Sequence, residues 1–264
     1  MGRLPQKINH PFLPFSRKRF LTVRTAQRES SLKVFFTFRL LCYNLFNNTT
    51  FFVEEIPMKK IIFLGDSITD AGHLWEHPPL GLGYVRLLSG PLSSRCPDIR
   101  ILNKGQDGFT AARVLQTLAE NCLNYSPDAA SLLIGINDVA AAQNTGLSLK
   151  AAGFRESISG ILETLKHAGI PRIFCAGPFL FPSPAEYLNW FPTVQEAEDI
   201  FQTEALRLGL PFLSLHERFN QAVLCRPVSE LSPDGVHLTH KGHELLAKWW
   251  AETFLNALRD GCHT

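Results

Sequence analysis

Across its 264 residues the sequence has little of what would mark several protein classes. Lys and Arg number 26 against 24 Asp and Glu, a net charge of +2. No basic excess is left over to follow a phosphate backbone, and no Lys/Arg-rich run appears beyond residue 57, so nucleic acid is not an expected partner. The six cysteines, at positions 42, 96, 122, 175, 225 and 262, form no CxxC pair and no zinc-like spacing. A disulfide framework and a metal knuckle are both unsupported. Cys175, inside the apolar run Ile173-Phe174-Cys175-Ala176, reads as a small buried hydrophobe. Long apolar runs are missing too. The most apolar early stretch, Val34 to Phe46, is interrupted by Arg39 and too short to span a bilayer, and no small-residue cleavage site follows it.

Methionine is almost absent: only Met1 and Met58 occur. Residues 1–57 are basic, dense in Phe and without a sustained helical or strand period, and do not read as a domain. Three readings of the segment stand: a disordered basic extension, an organelle transit peptide (it is Arg-rich and nearly acid-free up to Arg28), or translated sequence upstream of the true start. The third is favoured, because Met58-Lys59-Lys60 leads directly into the first good strand. Residues 58–264 are then the catalytic domain, and a start at Met58 implies a cytoplasmic protein.

With 45% hydrophobic residues the chain can bury one sizeable core. From Met58 onward, short apolar runs alternate with helical stretches. Ile61 to Leu64, Ile99 to Leu102, Ala130 to Ile134, Arg172 to Ala176 and Pro211 to Leu215 read as strands buried on both faces. Between and after them, Gly83 to Ser94, Thr110 to Asn121, Ala151 to His167, Thr193 to Leu208 and Thr239 to Leu258 read as helices. Strict alternation implies an α/β fold, a three-layer α/β/α sandwich on a five-stranded parallel sheet, with ligands bound beyond the carboxyl ends of the strands.

Four short blocks fall at those ends. In Gly65-Asp66-Ser67-Ile68-Thr69-Asp70, Ser67 sits where outward-facing backbone N–H groups favour developing negative charge, though a serine there can equally serve only as a cap. Thr69 stands where a hydrolase elbow needs glycine, and no Gly-Lys-Ser/Thr ending makes a P-loop. Asn103-Lys104-Gly105-Gln106-Asp107-Gly108-Phe109-Thr110 offers the N–H of Gly108, or merely a turn glycine. Gly135-Ile136-Asn137-Asp138 offers a carboxamide donor, or merely a cap. Ser232-Pro233-Asp234-Gly235-Val236-His237-Leu238-Thr239 brings an Asp and a His three residues apart, able to meet one serine: the carboxylate would fix the ring and leave Nε2 to take the Ser67 proton. The recurrence of His237, His240 and His243 beside Asp234 raises a metal site as a rival. It is disfavoured, because His240 and His243 fall in the opening turn of a helix whose Leu245, Leu246 and Trp249 face the core, so they read as polar-face residues. His73, His77, His167 and His216 read as surface or core residues.

Four blocks in this order resemble the SGNH/GDSL hydrolase family over roughly Lys59 to Leu258. The resemblance implies a flavodoxin-like sandwich and a carboxylic ester hydrolase without metal or organic cofactor. It implies Ser67 as nucleophile, Asp234 and His237 completing the triad, and an oxyanion hole from the N–H groups of Ser67 and Gly108 and the side chain of Asn137. Asp107 departs from the family pattern, which usually has serine there; a carboxylate pointing inward would repel an oxyanion, so it is expected to point away. Gly65 to Asp70, Leu80-Gly81-Leu82-Gly83-Tyr84-Val85 and Asn103-Lys104-Gly105 together look like bacterial carbohydrate acetylesterases, the acetylxylan type among them. The expected partner is thus a small acyl ester, an acetylated oligosaccharide in the first instance. Asp66, Tyr187 and Trp190 are the substrate-binding candidates, the two aromatic rings suiting either a sugar face or the packing of their own loop. A lysophospholipase or acyl thioesterase with the same triad, and a silent binding protein on this scaffold, are the alternative functions.

Overall fold

The computed structural model describes residues 58–74 and 78–255. The reading of residues 1–57, together with Cys42, His77, Cys262 and the end of the last expected helix, lies outside the described residues.

Five strands form one wholly parallel sheet in the order β2-β1-β3-β4-β5: β1 (Lys60–Gly65), β2 (Arg100–Gly105), β3 (Ala129–Leu133), β4 (Arg172–Ala176) and β5 (Phe212–Leu213). The chain runs outward from β1 to β2 and returns to the other side of β1 as β3. The order therefore reverses between β1 and β3, and in open α/β sheets that is where a crevice opens at the carboxyl ends. Two short elements leave β1 and β3 at this point, α1 (Ser67–Asp70) and α5 (Ile136–Thr145).

The remaining helices are α2 (Tyr84–Arg95), α3 (Ala111–Gln116), α4 (Leu118–Asn121), α6 (Phe154–His167), α7 (Phe191–Arg207), α8 (His216–Ala222) and α9 (His240–Trp250). Helix α2 packs against α9, whereas α3 packs against α6 and α6 against α7, which gives the two outer layers. Among the described residues no helix is long and apolar enough to cross a membrane.

One row of side chains ties α9 to the sheet. Phe63, Ser131 and Phe174 are register partners across β1, β3 and β4. Trp250 lies on that row, its centroid 5.5 Å from Phe63 and 5.4 Å from Phe174, and its indole N–H donates to Ser131 Oγ at 2.9 Å. A hydroxyl in the middle of a β-strand is thereby satisfied, as a buried polar group must be.

The expected elements are all present, with differences of extent. The expected strand from Ile99 instead runs from Arg100 to Gly105, so the first residues of the second block are strand. The expected helix Thr110 to Asn121 is broken at Thr117, whose hydroxyl turns back to the Arg113 carbonyl at 2.9 Å. Helices α5 and α8 were not expected. The face of α9 is also rotated from expectation: the buried residues are His243, Leu246, Ala247 and Trp250, while Trp249 packs half-buried on Phe219 at 4.9 Å. His243 is therefore a core residue rather than a polar-face one. Its Nδ1 accepts from the Tyr84 N–H at 3.3 Å, and burial pushes its pKa down to about 4, which keeps the ring neutral.

Candidate active site

Gly65 and Gly105 are register partners at the ends of β1 and β2, and α1 lies directly over both. A Cβ at Gly65 would stand 2.3 Å from Thr69 Oγ1, and one at Gly105 2.3 Å from the Asp70 N atom. Side chains at these two positions would hold α1 away from the sheet. Asn103, buried at the end of β2, completes the seat. Its amide donates to the carbonyls of Thr69 (2.7 Å) and Leu80 (3.1 Å), and its own carbonyl accepts from the Gly105 N–H at 2.9 Å. Thr69 Oγ1 also meets the Tyr84 hydroxyl at 3.1 Å. Ser67, first residue of α1, is thus fixed by contacts from β1, β2 and α2.

The loop ahead of α9 brings the other two groups. Asp234 Oδ1 accepts from the backbone N–H of Val236 (2.9 Å) and His237 (2.8 Å), while its Oδ2 lies 2.6 Å from His237 Nδ1. His237 Nε2 lies 3.0 Å from Ser67 Oγ. Partial burial works against the Asp234 charge, but the His237 hydrogen bond and the two backbone donors outweigh it and hold the carboxyl below its ordinary range. An ionised Asp234 only accepts. Nδ1 therefore carries the ring proton, and Nε2 presents its lone pair to the serine hydroxyl. The side chains of His237 and Asp234 are 53% and 50% exposed, so water reaches this end of the site.

Gly108 sits in the loop after β2 at φ +70°, with open space where a Cβ would point. The Asn137 amide, in the first turn of α5, donates to the Phe109 carbonyl at 2.9 Å. One of its two N–H bonds thereby anchors the Gly108 loop and leaves the other to donate elsewhere. Asp138 beside it is buried and accepts from the Ala111 N–H at 3.0 Å, tying α5 to the start of α3; burial raises its pKa to about 6. Neither the anchoring by Asn103 nor that by Asp138 was anticipated. An asparagine directly after the apolar pair Ile101-Leu102 of a strand was the available signal for the first.

Asp107 turns toward Asp70. Partial desolvation, the Asp70 charge and a hydrogen bond with the Asp70 carboxyl raise its pKa. Asp66 does not fit its expected contact with substrate: it is fully buried, and its Oδ1 caps α1 by accepting from the Ile68 N–H at 3.0 Å. Tyr187 and Trp190 pack against each other on the turn Ala185–Trp190, with ring centroids 4.8 Å apart and planes tilted by 43°, both half-buried. Their loop is fastened to the Asp234–His237 loop, since Phe181 N–H donates to Gly235 O at 2.9 Å and Tyr187 packs where a Gly235 Cβ would point. His240 pairs with Glu244 at 3.3 Å, away from His237, and no grouping of three metal-ligating side chains occurs among the described residues.

Residues 63–245 match the model of the GDSL-like Lipase/Acylhydrolase family. The acetylxylan esterase of Geobacillus stearothermophilus is 27% identical over 200 residues, which span 72% of this chain and 91% of that one. The crystal structure of Axe2, an acetylxylan esterase from the same organism, superposes with a TM-score of 0.65 at 24% identity, over 74% of this chain and 94% of that chain. An alpha/beta hydrolase enzyme from the metagenome of Lake Arreo superposes equally well, with a TM-score of 0.65 at 22% identity and the same coverage. With the family model spanning all four blocks, the chain belongs to the GDSL-like lipase/acylhydrolase family and is a carboxylic ester hydrolase.

Proposed function

We propose that the protein is a serine acetylesterase acting on acetylated carbohydrate, with Ser67 as nucleophile, His237 as general base and Asp234 as the group that orients it. The observation that carries this reading is the continuous chain from Ser67 Oγ to His237 Nε2 (3.0 Å) and from His237 Nδ1 to Asp234 Oδ2 (2.6 Å) at the sheet's switch point.

In the first step Ser67 Oγ attacks the ester carbonyl while Nε2 takes its proton; the same proton then goes to the departing alcohol, leaving Ser67 acylated. Water entering from the exposed side gives a proton to Nε2 as it attacks the acyl-enzyme, and collapse releases acetate and free Ser67. The tetrahedral oxyanion is held by the N–H groups of Ser67 and Gly108 and by the free N–H of Asn137. Open space at Gly108 suits close approach of the carbonyl oxygen.

The carbohydrate part of the proposal draws on the acetylxylan esterase relative and on the paired rings of Tyr187 and Trp190, whose loop is bound to the Asp234–His237 loop. Aromatic faces suit the apolar face of a sugar ring. The same reading takes residues 58–264 as the hydrolase domain, with β1 starting two residues after Met58.

The test is hydrolysis of p-nitrophenyl esters of increasing acyl length, and of acetylated xylo-oligosaccharides, by the wild type and Ser67→Ala. Acetyl-selective hydrolysis abolished by Ser67→Ala is the expected result. Activity that survives Ser67→Ala refutes the mechanism, and a preference for long acyl chains replaces the acetylesterase with a lipase or thioesterase.

A further inference from the structure

Asp66, the residue before the serine, is fully buried, and capping α1 uses only half of it. Oδ1 accepts the Ile68 N–H, whereas Oδ2 is buried with no hydrogen-bond partner. A neutral asparagine or a serine would cap the helix equally well without placing a charge in the interior. Three groups face Asp66 from other elements. Asp138 of α5 repels its charge, His237 of the loop before α9 attracts it, and the Tyr84 hydroxyl of α2 is held in its neutral form partly by it. Asp66 directly precedes Ser67, whose Oγ lies 3.0 Å from His237 Nε2, whereas Asp234 meets the ring at Nδ1, so the buried carboxyl belongs to the serine side of the triad.

We propose that Asp66 is a positioning residue of the reaction: its buried carboxylate is a second negative charge, besides Asp234, that stabilises the imidazolium formed at His237 when Ser67 attacks. This rests on His237 being the base. The charge that develops in the transition state is positive at His237, and a fixed anion in a water-poor interior stabilises it without reorganising. Burial raises the Asp66 pKa to about 7, with repulsion from Asp138 adding to it and His237 opposing it. The second charge is accordingly supplied as the pH rises through neutrality. Activity then follows two coupled ionisations rather than that of the imidazole alone.

The experiment is the pH dependence of kcat/KM for p-nitrophenyl acetate in the wild type, Asp66→Asn and Asp66→Ser, with Ser67→Ala as control. Asp66→Asn keeps the cap and removes the charge. The expected result is a plateau lowered by about tenfold and an acid limb moved about half a pH unit or more to lower pH, since a base without its second anion gives up its proton more readily. Profiles of Asp66→Asn and Asp66→Ser that superimpose on the wild type overturn the proposal and leave Asp66 as a cap only. In the wild type, a carbon-13 NMR titration of the Asp66 carboxyl is expected to show ionisation near pH 7; a carboxyl that stays protonated across the pH range of activity overturns the proposal even if neither variant folds. Activity in Ser67→Ala would instead refute the triad itself, so the two failures are distinct.

Discussion

Replacing Gly105 by alanine adds one methyl group at a position buried beneath α1, and it should damage catalysis. The new Cβ would stand 2.3 Å from the Asp70 nitrogen and 2.6 Å from the Thr69 carbonyl carbon, whereas ordinary contact begins near 3.4 Å. Both obstacles are backbone, so no side chain can swing aside, and α1 must lift by about 1 Å. Ser67 opens that four-residue helix and moves with it, and the 3.0 Å contact with His237 Nε2 opens to roughly 4 Å. A misplacement of this size costs on the order of a hundredfold in turnover, while the overpacking itself costs about 1–3 kcal/mol of stability. The assay is kcat for p-nitrophenyl acetate together with the rate of labelling by a fluorophosphonate and the thermal midpoint. Both rates should fall by about two orders of magnitude in a protein that remains folded at assay temperature. A Gly105→Ala enzyme that folds and keeps wild-type labelling would show that the seat of α1 is looser than these distances require, and the account of how Ser67 is positioned would be wrong.

Asn137→Ala should lower kcat for the acetyl ester by on the order of a hundred- to a thousandfold, with KM little changed, because it removes an oxyanion donor and also frees the Phe109 carbonyl that anchors the Gly108 loop. A kcat within a fewfold of wild type would remove Asn137 from the oxyanion hole. The buried acids predict a pH effect on stability. Asp66 and Asp138, raised in the folded protein to about 7 and about 6 from an ordinary 3.8, bind more protons folded than unfolded, so their contribution to stability is lost as the pH rises from about 4 to about 7. Burial holds His216 and His243 down to about 4, and these rings work in the same window with the opposite sign. The wild-type curve alone therefore does not isolate the acids. The stability of Asp66→Asn/Asp138→Asn relative to wild type does, and it should grow by a few kcal/mol between about pH 4 and pH 7, as read by urea unfolding. A difference independent of pH would mean that neither carboxyl is held neutral by burial.

Much of the fold was legible because a parallel sheet buried on both faces writes itself as separate apolar runs, and all five runs are strands. The helices that escaped notice had weaker signals. In α5 the buried Ile136, Val139 and Ala142 are spaced by three in a short, alanine-rich segment, and its first turn is also the third block, whose residues suggested a loop with a job. In α9 both Leu245-Leu246 and Trp249-Trp250 are apolar pairs, so two faces one residue apart fit the pattern equally well. Packing on Phe63 and Phe174, which no local period reveals, selected the face that buries His243. At the site, Ser67, Asp234 and His237 could be picked out as chemistry-bearing types in recurring blocks, and the chain places them within hydrogen-bonding distance. The residues that hold those blocks were harder to see. Asn103 and Asp138 act on backbone groups 23 to 34 positions away in the chain, and sequence spacing carries no record of such partners.

Buried acids in this molecule gather where the loops of the blocks meet. Asp66 caps α1, Asp138 caps the start of α3, and Asp70 accepts from the N–H groups of Gly72 and Leu74 where the chain turns away from α1. Each satisfies backbone donors that a tight strand-to-helix exit leaves without partners, and in that role a neutral side chain would serve with less desolvation cost. For Asp66 the cost depends on its surroundings as well, since Asp138 repels its charge and His237 attracts it. Repulsion between Asp66 and Asp138 weakens the fold at neutral pH, and under the proposed mechanism a proton taken up at His237 offsets it for Asp66. If His237 is the base, the Asp66 charge suits the transition state better than the resting enzyme, which is the condition for accelerating the chemical step.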